Sequence, residues 1–151
     1  MDDQRGFEFV PGVDHEGLML PARQTDGAAG YDLFAREATV VAVGKIALVP
    51  TGVRVWLPEG EFLAVYARSS LAVKWRLILA NGVGVVDADY YGNPDNGGEI
   101  LVPLWNVGDA PVTLPRGERI AQGVFTRYFT TSADRSTGKA RTGGFGSTGG
   151  Q

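Results

Sequence analysis

The chain has 151 residues, a formal net charge of −3, 44% hydrophobic residues and 21% charged residues. This composition is typical of one globular domain and excludes a disordered chain. The acidic balance argues against nucleic-acid binding through a broad basic surface, although a few arginines could still hold a small anion.

The chain contains no cysteine and one histidine, His15, which lies between Asp14 and Glu16. Disulfides and thiolate chemistry are therefore excluded. With one histidine and no cysteine, the chain has almost no residues for a His/Cys metal site or a histidine-based triad. Carboxylates must supply any proton transfer, and His15 is predicted to be a surface residue. Neither a signal peptide nor a membrane-spanning run is recognisable, so we expect a soluble, cytoplasmic protein.

Short β-branched runs recur along the chain, separated by turns rich in Gly and Pro, and they occupy 39–56, 62–67, 100–106 and 111–125. Many short strands at regular spacing predict an all-β sandwich, barrel or jelly roll. Pro103 interrupts one of these strands. Because proline has no N–H to donate, that strand is expected at a sheet edge or at a bulge.

A buried carboxylate is predicted near the start of the chain, where Asp32 lies among apolar neighbours in the run 28–35. Burying a carboxylate without a partner is costly. Asp32 is therefore either a structural residue that caps a turn or a ligand for a hard cation, directly or through water.

The sequence Arg68-Ser69-Ser70-Leu71 predicts the start of a short helix with a serine as its N-cap. Free N–H groups, a hydroxyl and a guanidinium converge there, which suits an anion. An ordinary capped turn is the more frequent explanation of these residues by themselves.

The stretch Asn81–Gly92 combines a β-branched run, flanking glycines, the carboxylates of Asp87 and Asp89, and two tyrosines. It predicts a tight hairpin that presents backbone groups, a carboxylate and a ring to one small ligand. The alternative is an ordinary hairpin with a solvated acidic tip. The loop Asn93–Gly98 that follows is polar and shows no sign of packing.

The last part of the chain, from Thr130, is rich in Ser, Thr and Gly. It is either a frayed tail or a flap that closes over an anionic, aromatic ligand, for which Arg141 and Phe145 are suited. We therefore expect a β domain over 1–130 and a flexible arm over 131–151.

Five stretches, in this order and spacing, resemble the motifs of the homotrimeric dUTPase family: Ala29–Ala35, Arg68–Lys74, Asn81–Gly92, Gly117–Gly123 and Arg141–Gly149. The resemblance implies a dUTPase-type jelly roll or distorted β-barrel with one short helix. It also implies a homotrimer in which each active site lies between subunits and is closed by the C-terminal arm of a neighbouring chain. The implied reaction is Mg²⁺-assisted hydrolysis of dUTP to dUMP and pyrophosphate.

By this resemblance Asp87 activates water for attack on the α-phosphorus, and Asp32 holds the Mg²⁺–triphosphate through coordinated water. Asp89 is read as structural or solvated. The resemblance also implies that Tyr90 packs under the deoxyribose and leaves no room for a 2′-hydroxyl, while the Asn81 hairpin reads the uracil edge and Phe145 stacks over the base. The implied substrate-binding residues are Arg68, Ser69, Ser70, Asn81, Gly84, Tyr90, Gln122, Arg141, Phe145, Gly146 and Ser147.

Two departures from the family pattern stand out. The loop Asn93–Gly98 intervenes before Glu99, and only Thr142 separates Arg141 from the following Gly-Gly pair. The dCTP deaminase branch of the same superfamily, including bifunctional forms that yield dUMP, is the nearest alternative, but it resembles this chain less because its catalytic glutamate falls where this chain has Pro103. A non-catalytic jelly-roll module that binds nucleotide or a protein partner is the alternative from another class.

Overall fold

A computed structural model describes residues 4–139 of the chain. Eleven strands and one α-helix make up this part, which confirms the all-β prediction. The elements are β1 (Gly6–Phe9), β2 (Tyr31–Phe34), β3 (Thr39–Val41), β4 (Ile46–Pro50), β5 (Val53–Trp56), β6 (Glu61–Ala67), α1 (Ser69–Trp75), β7 (Leu77–Leu79), β8 (Gly84–Val86), a 3₁₀ helix (Ala88–Tyr90), β9 (Leu101–Asn106), β10 (Val112–Leu114) and β11 (Arg119–Arg127).

The strands form two main antiparallel sheets and two short ladders. One sheet has the order β2-β11-β6-β8 and the other β4-β9-β7, while β1 pairs with β5 and β10 with β3. Neighbours in these sheets are mostly distant in sequence, as in a jelly roll. The long strand β11 shifts register between Arg119 and Ala121, which marks a bulge beside β2.

Alternating side chains from both sheets form the core, as expected for strands that bury one face. Leu33, Leu63, Leu104 and Ile120 are fully buried there. Leu71 of α1 joins the same cluster and Trp75 packs against it half-buried, so the helix is held by these two side chains rather than by an extended apolar face. Asn106 is also fully buried, and its amide donates to the carbonyls of Val41 and Ala110.

The expectation that Pro103 lies on an edge strand or at a bulge is wrong. β9 is the central strand of its sheet, and Pro103 pairs with Leu48 of β4 without a register shift. On the other side the ladder with β7 ends at Leu79 and Leu104, and the carbonyl of Pro103 accepts from Ala80 N at 2.9 Å. Proline is tolerated because its missing N–H falls where the ladder stops.

The predicted hairpin at Asn81 is also wrong. β7 pairs with β9 and β8 pairs with β6, so the turn at 80–83 carries the chain from one sheet to the other. The helix start differs from prediction as well, because Arg68 occupies the N-cap and no side chain caps the helix. His15 is exposed, as predicted, and stacks on Phe9 with ring centroids 4.0 Å apart.

The loop Asn93–Gly98 does pack, contrary to the sequence prediction. Asn93 and Gly98 are buried, and Asn93 Oδ1 accepts from Asp95 N at 2.9 Å. Two positive-φ glycines, Gly97 and Gly98, let this polar segment fold back on itself. It is therefore part of the domain's body.

Candidate active site

A cavity of about 190 Å³ lies at the β8 edge, next to the ends of β7 and β9. Its wall contains four predicted site residues: Asn81, Gly84, Asp87 and Tyr90. The rest of the wall is apolar and comes from Val65, Leu79, Val85, Val86, Leu101 and Pro103. Sites for drug-sized ligands have volumes of roughly 300–1,000 Å³. This cavity is smaller than that, with room for one ring rather than for a whole nucleotide.

Asp87 follows β8 directly and is half-buried at the cavity wall. Its backbone is extended (φ −79°, ψ 157°), and its side chain does not cap the 3₁₀ helix that begins at the next residue. Asp89 lies within that helix, is exposed, and is not part of the cavity wall. Of the two carboxylates, Asp87 is the one that a ligand in the cavity would meet.

Tyr90 is 4% exposed and is held at its hydroxyl end. The hydroxyl donates to the carbonyl of Glu99 at 2.7 Å and accepts from Asn96 Nδ2 at 2.8 Å. The ring thus forms a fixed part of the cavity wall. Both anchoring residues follow Gly92, in or beside the loop Asn93–Gly98.

Gly84 lets Asn81 and β6 approach each other closely. A Cβ added to Gly84 would lie 3.0 Å from Val65 Cβ and 3.6 Å from Asn81 Nδ2. An alanine there would press on a buried valine and contact the Asn81 amide. The glycine therefore keeps the polar end of the cavity open.

A second group of predicted site residues lies across β2, β11 and β6. Asp32 and Gln122 are paired in register, and Gln122 is paired with Tyr66. Asp32 is 6% exposed, and its Oδ2 accepts from Gln24 Nε2 at 2.6 Å and from Arg119 Nη1 at 3.3 Å. These contacts supply the partner that a buried aspartate requires.

Gly30 determines where the side chain of Gln122 lies. A Cβ added to Gly30 would be 2.2 Å from Gln122 Oε1, closer than real side chains approach, and 3.0 Å from Gln122 Cβ. A larger residue at position 30 would therefore displace the Gln122 amide from its place beside β2.

Arg68, Ser69 and Ser70 lie at the end of β6, where α1 begins. Arg68 Nη1 donates to the carbonyl of Arg119 at 3.3 Å, which brings the arginine close to the Asp32 group. Ser69 is exposed and Ser70 is half-buried. The guanidinium, the hydroxyls and the Gln122 amide together form a polar surface able to contact an anion.

The two groups lie at opposite ends of β6. Asp87 follows Val86, which pairs with Leu63 near the beginning of β6, whereas Arg68 follows its last residue. From Leu63 to Arg68 an extended strand covers roughly 17 Å, at about 3.4 Å per residue. Asp32 is separated from β8 by two intervening strands, a span of roughly 14 Å.

Two charged contacts involve Tyr91 and Glu99, which are neighbours of Tyr90 in the sequence and in its hydrogen bonding. The Tyr91 hydroxyl donates to Glu8, and this hydrogen bond, reinforced by Arg54, lowers the pKa of the Glu8 carboxyl below its usual value. The same contact raises the pKa of Tyr91. Glu99 binds Arg36 through Nε at 2.7 Å and raises the pKa of that guanidinium.

Arg141, Phe145, Gly146 and Ser147 lie outside the described residues. Within residues 4–139, no three His, Cys, Asp or Glu side chains come together as a metal site. Over the same range, no helix has the length and apolar character needed to cross a membrane.

The family model for dUTPase matches residues 17–149 of the chain. Deoxyuridine 5′-triphosphate nucleotidohydrolase of Lactococcus lactis subsp. lactis is 45% identical over 146 residues, which are 96% of this chain and 97% of that protein. The chain belongs to the dUTPase family. This confirms the predicted family and, with it, the enzyme class, dUTP diphosphatase.

Solved dUTPase structures agree with this assignment. The dUTPase of Streptococcus mutans is 45% identical and superposes with a TM-score of 0.81, covering 85% of this chain and 99% of that one. A variant of the dUTPase from phage phi11 of S. aureus, 20% identical, shares the fold with a TM-score of 0.73 over 89% of this chain and 97% of that one. The predicted jelly roll is thereby confirmed as the dUTPase fold.

Several residues around the dUTPase motifs were not singled out from the sequence. Arg119 and Gln24 hold the Asp32 carboxylate, and Asn96 and Glu99 hold Tyr90. Arg119 lies within the fourth motif, three residues before Gln122, so its position gave a usable signal. Gln24 and Asn96 lie in polar loops, where sequence alone does not show which side chain points inward.

Proposed function

We propose that this dUTPase hydrolyses dUTP to dUMP and pyrophosphate with Asp87 as the base that orients and activates the attacking water. The observation that carries the proposal is the position of Asp87 at the wall of a cavity with room for one ring. Asn81 lines the same cavity. A carboxylate suffices as the base when the charge that develops on the phosphates is stabilised by cations.

The cavity is the proposed uracil site. Asn81 and the backbone around Gly84 supply donors and acceptors for the base edge, and the apolar wall excludes water. A pocket of this kind rejects cytosine because the polar groups that a bound base covers would be left without partners. Tyr90 is proposed to pack under the deoxyribose and to exclude a 2′-hydroxyl. Phe145 is proposed to stack over the base.

The triphosphate is proposed to bind the second group. Arg68, Ser69 and Ser70 contact phosphate oxygens at the start of α1, and Gln122 hydrogen-bonds near the α-phosphate. Arg141, Gly146 and Ser147 are proposed to complete the phosphate contacts from the C-terminal arm, residues 131–151.

Mg²⁺ is the proposed cofactor, and the donor set around Asp32 suits it. Mg²⁺ commonly keeps several waters and binds mainly through substrate phosphates and one or two carboxylates, so a single aspartate is enough. Both hydrogen bonds described for Asp32 go to Oδ2, which leaves Oδ1 as the oxygen to accept from a metal-bound water. When bound, the ion neutralises triphosphate charge. The phi11 enzyme's structure concerns coordination of a structural Mg(II) ion.

A homotrimer with shared sites is the proposed assembly. One chain holds Asp87 and Arg68 at opposite ends of β6, too far apart to meet one α-phosphate. The outer face of β4 and β9 is apolar and exposed at Ile46, Leu48 and Trp105, as expected for a surface that another subunit covers. Pro103, the partner of Leu48, also lines the cavity. The covered face would therefore continue to the cavity mouth.

The deciding experiment measures pyrophosphate release from dUTP by the purified protein with Mg²⁺. Asp87→Asn should remove turnover while the oligomer persists in sedimentation, because the variant changes the base and not the fold. Asp89→Asn is the matched control and should retain activity. Ammonia release from dCTP would instead indicate a deaminase, and binding of dUTP without turnover a non-catalytic module. A cytoplasmic location stays a prediction.

A further inference from the structure

The loop Asn93–Gly98 is the segment that the proposed function leaves unused. It follows the tyrosines directly and folds back beneath them. A Cβ added to Gly98 would lie 2.8 Å from both Gly92 N and Tyr90 O, and one added to Gly97 would lie 2.9 Å from Val10 Cγ1. The loop is therefore pressed against the backbone of the cavity segment on one side and against the domain's core on the other.

Asn96 is the side chain through which the loop contacts the cavity. Its Nδ2 lies 2.8 Å from the Tyr90 hydroxyl, and its Oδ1 accepts from Gly98 N at 3.0 Å. Because Gly98 N can only donate, it fixes which end of the amide faces the tyrosine. The Glu99 carbonyl can only accept, so it takes the hydroxyl proton of Tyr90. The hydroxyl oxygen must then accept from Asn96.

We propose that Asn96 is a positioning residue that fixes the ring of Tyr90 and thereby sets discrimination against a 2′-hydroxyl on the substrate sugar. This inference rests on the proposed role of Tyr90. Asn96 and the Glu99 carbonyl contact the Tyr90 hydroxyl from two directions, so loss of the Asn96 amide removes one of the two hydrogen bonds described for that hydroxyl. A small shift of the ring would leave space for an additional hydroxyl group on the sugar.

The loop's other anchors support a positioning role. Asn93 N donates to Tyr90 O at 3.1 Å, and Gly97 N donates to Asn93 O at 2.6 Å. Arg54 Nη1 donates to the carbonyl of Gly97 at 3.2 Å. The backbone of the loop is thus tied down independently of Asn96, so a change in the Asn96 side chain alone should leave the loop folded.

The test uses two substitutions of Asn96 in the full chain, with dUTP and UTP as substrates. Asn96→Asp keeps an acceptor for Gly98 N but removes the donor to Tyr90, and Asn96→Ala removes both. We expect each variant to raise KM for dUTP and to lower the dUTP-over-UTP ratio of kcat/KM by about threefold to tenfold, the value of one hydrogen bond. The kcat for dUTP should be retained, because Asp87 is not affected. Asp95→Ala, an exposed neighbour in the same loop, is the control and should change neither quantity.

A double-mutant cycle with Tyr90→Phe shows whether Asn96 acts through the hydroxyl. Asn96→Asp should have no further effect on the ratio in the Tyr90→Phe background. Equal effects in both backgrounds would overturn the inference, as would Asn96 variants that lower the melting temperature but leave KM and the ratio unchanged. Tyr90→Leu distinguishes the positioning role of Asn96 from the sugar role of Tyr90. If it lowers the ratio and the Asn96 variants do not, the loop inference alone fails; if no Tyr90 variant moves the ratio, the sugar role of Tyr90 fails with it.

Discussion

The two groups of site residues are built in different ways. The Asn81–Tyr90 group lines a concave cavity at the edge of the four-stranded sheet, where a turn, a short strand and a 3₁₀ helix follow one another. The Asp32–Gln122 group lies on neighbouring strands at the opposite edge of that sheet. The strand pairing places these two residues side by side. The cavity is a concave space within one chain, whereas the second group is an open polar surface. The proposed shared site requires both groups, contributed by different chains.

Mixing two inactive variants tests whether the two groups come from different chains, and it has the largest expected effect on turnover. Asp87→Asn disables the cavity group and Arg68→Ala the phosphate group, and each should lower activity at least about 10²-fold. When the two variants are co-expressed as mixed oligomers, about a quarter of the sites should receive an intact residue from each of two chains. Steady-state turnover of the mixture measures the recovery.

Each variant mixed with itself is the control and should stay inactive. If the mixed oligomers are no more active than either parent, both groups act within one chain, and the shared-site proposal fails. A monomer in sedimentation would contradict it equally.

Gly30→Ala tests whether the open group depends on strand register. The added Cβ must displace Gln122, whose Oε1 would be 2.2 Å away, so we expect kcat/KM for dUTP to fall by about tenfold or more through loss of one polar contact to phosphate. Gly27→Ala, with nothing within 4 Å of its added Cβ, is the matched control. Wild-type kinetics in Gly30→Ala would show that the position of Gln122 is not needed.

Adjacent residues of β9 separate folding from assembly. Leu104→Ala empties a fully buried position and should cost about 2–5 kcal/mol in the free energy of unfolding. Trp105 faces the other way and is 40% exposed, so Trp105→Ser should instead weaken association and shift sedimentation to smaller species on dilution. If Trp105→Ser leaves the oligomer intact at the lowest measurable concentrations, the outer face of β4 and β9 is not the interface.

The sequence predicted the class of fold and most of the strands, because alternation and turn residues are local signals. It did not predict strand partners correctly at Asn81. The glycines around 81–84 suit a hairpin, yet β8 pairs with β6, since the buried faces of both sheets decide the pairing. The prediction for Pro103 was wrong for a related reason. Proline excludes one ladder hydrogen bond, but only the structure shows that β7 has already ended there.

The sequence predicted the residues that line the cavity but not the residues that hold them in place. Asn81, Gly84, Asp87 and Tyr90 line one cavity, as a shared motif suggests. The residues that hold them were not predicted, because a polar loop such as Asn93–Gly98 looks solvent-exposed from its sequence. Only the structure shows that its glycines fold the loop against the domain. The catalytic and binding roles of the motif residues stay predictions, including those of the arm residues outside the described range.

The smallest expected effect concerns Tyr91, the neighbour of Tyr90. Tyr91 is tied to β1 and β5: its hydroxyl donates to Glu8, and the guanidinium carbon of Arg54 lies 4.3 Å from its ring centroid. Because the Tyr91 hydrogen bond lowers the pKa of Glu8, its stabilising contribution is present above the ordinary glutamate pKa and is lost as pH falls through the lowered value. Tyr91→Phe should move the pKa of Glu8 upward, with Arg54 still holding it down in part.

An NMR titration of the Glu8 carboxyl measures this shift directly. The accompanying change in unfolding free energy between neutral and acidic pH should be slight, since exposed contacts are screened by solvent. KM and kcat for dUTP should not change in Tyr91→Phe, because the cavity ring is held by Asn96 and Glu99 rather than by this surface contact. A raised KM in Tyr91→Phe would mean that the Tyr91 contact with Glu8 also positions the Tyr90 ring, in addition to Asn96 and Glu99.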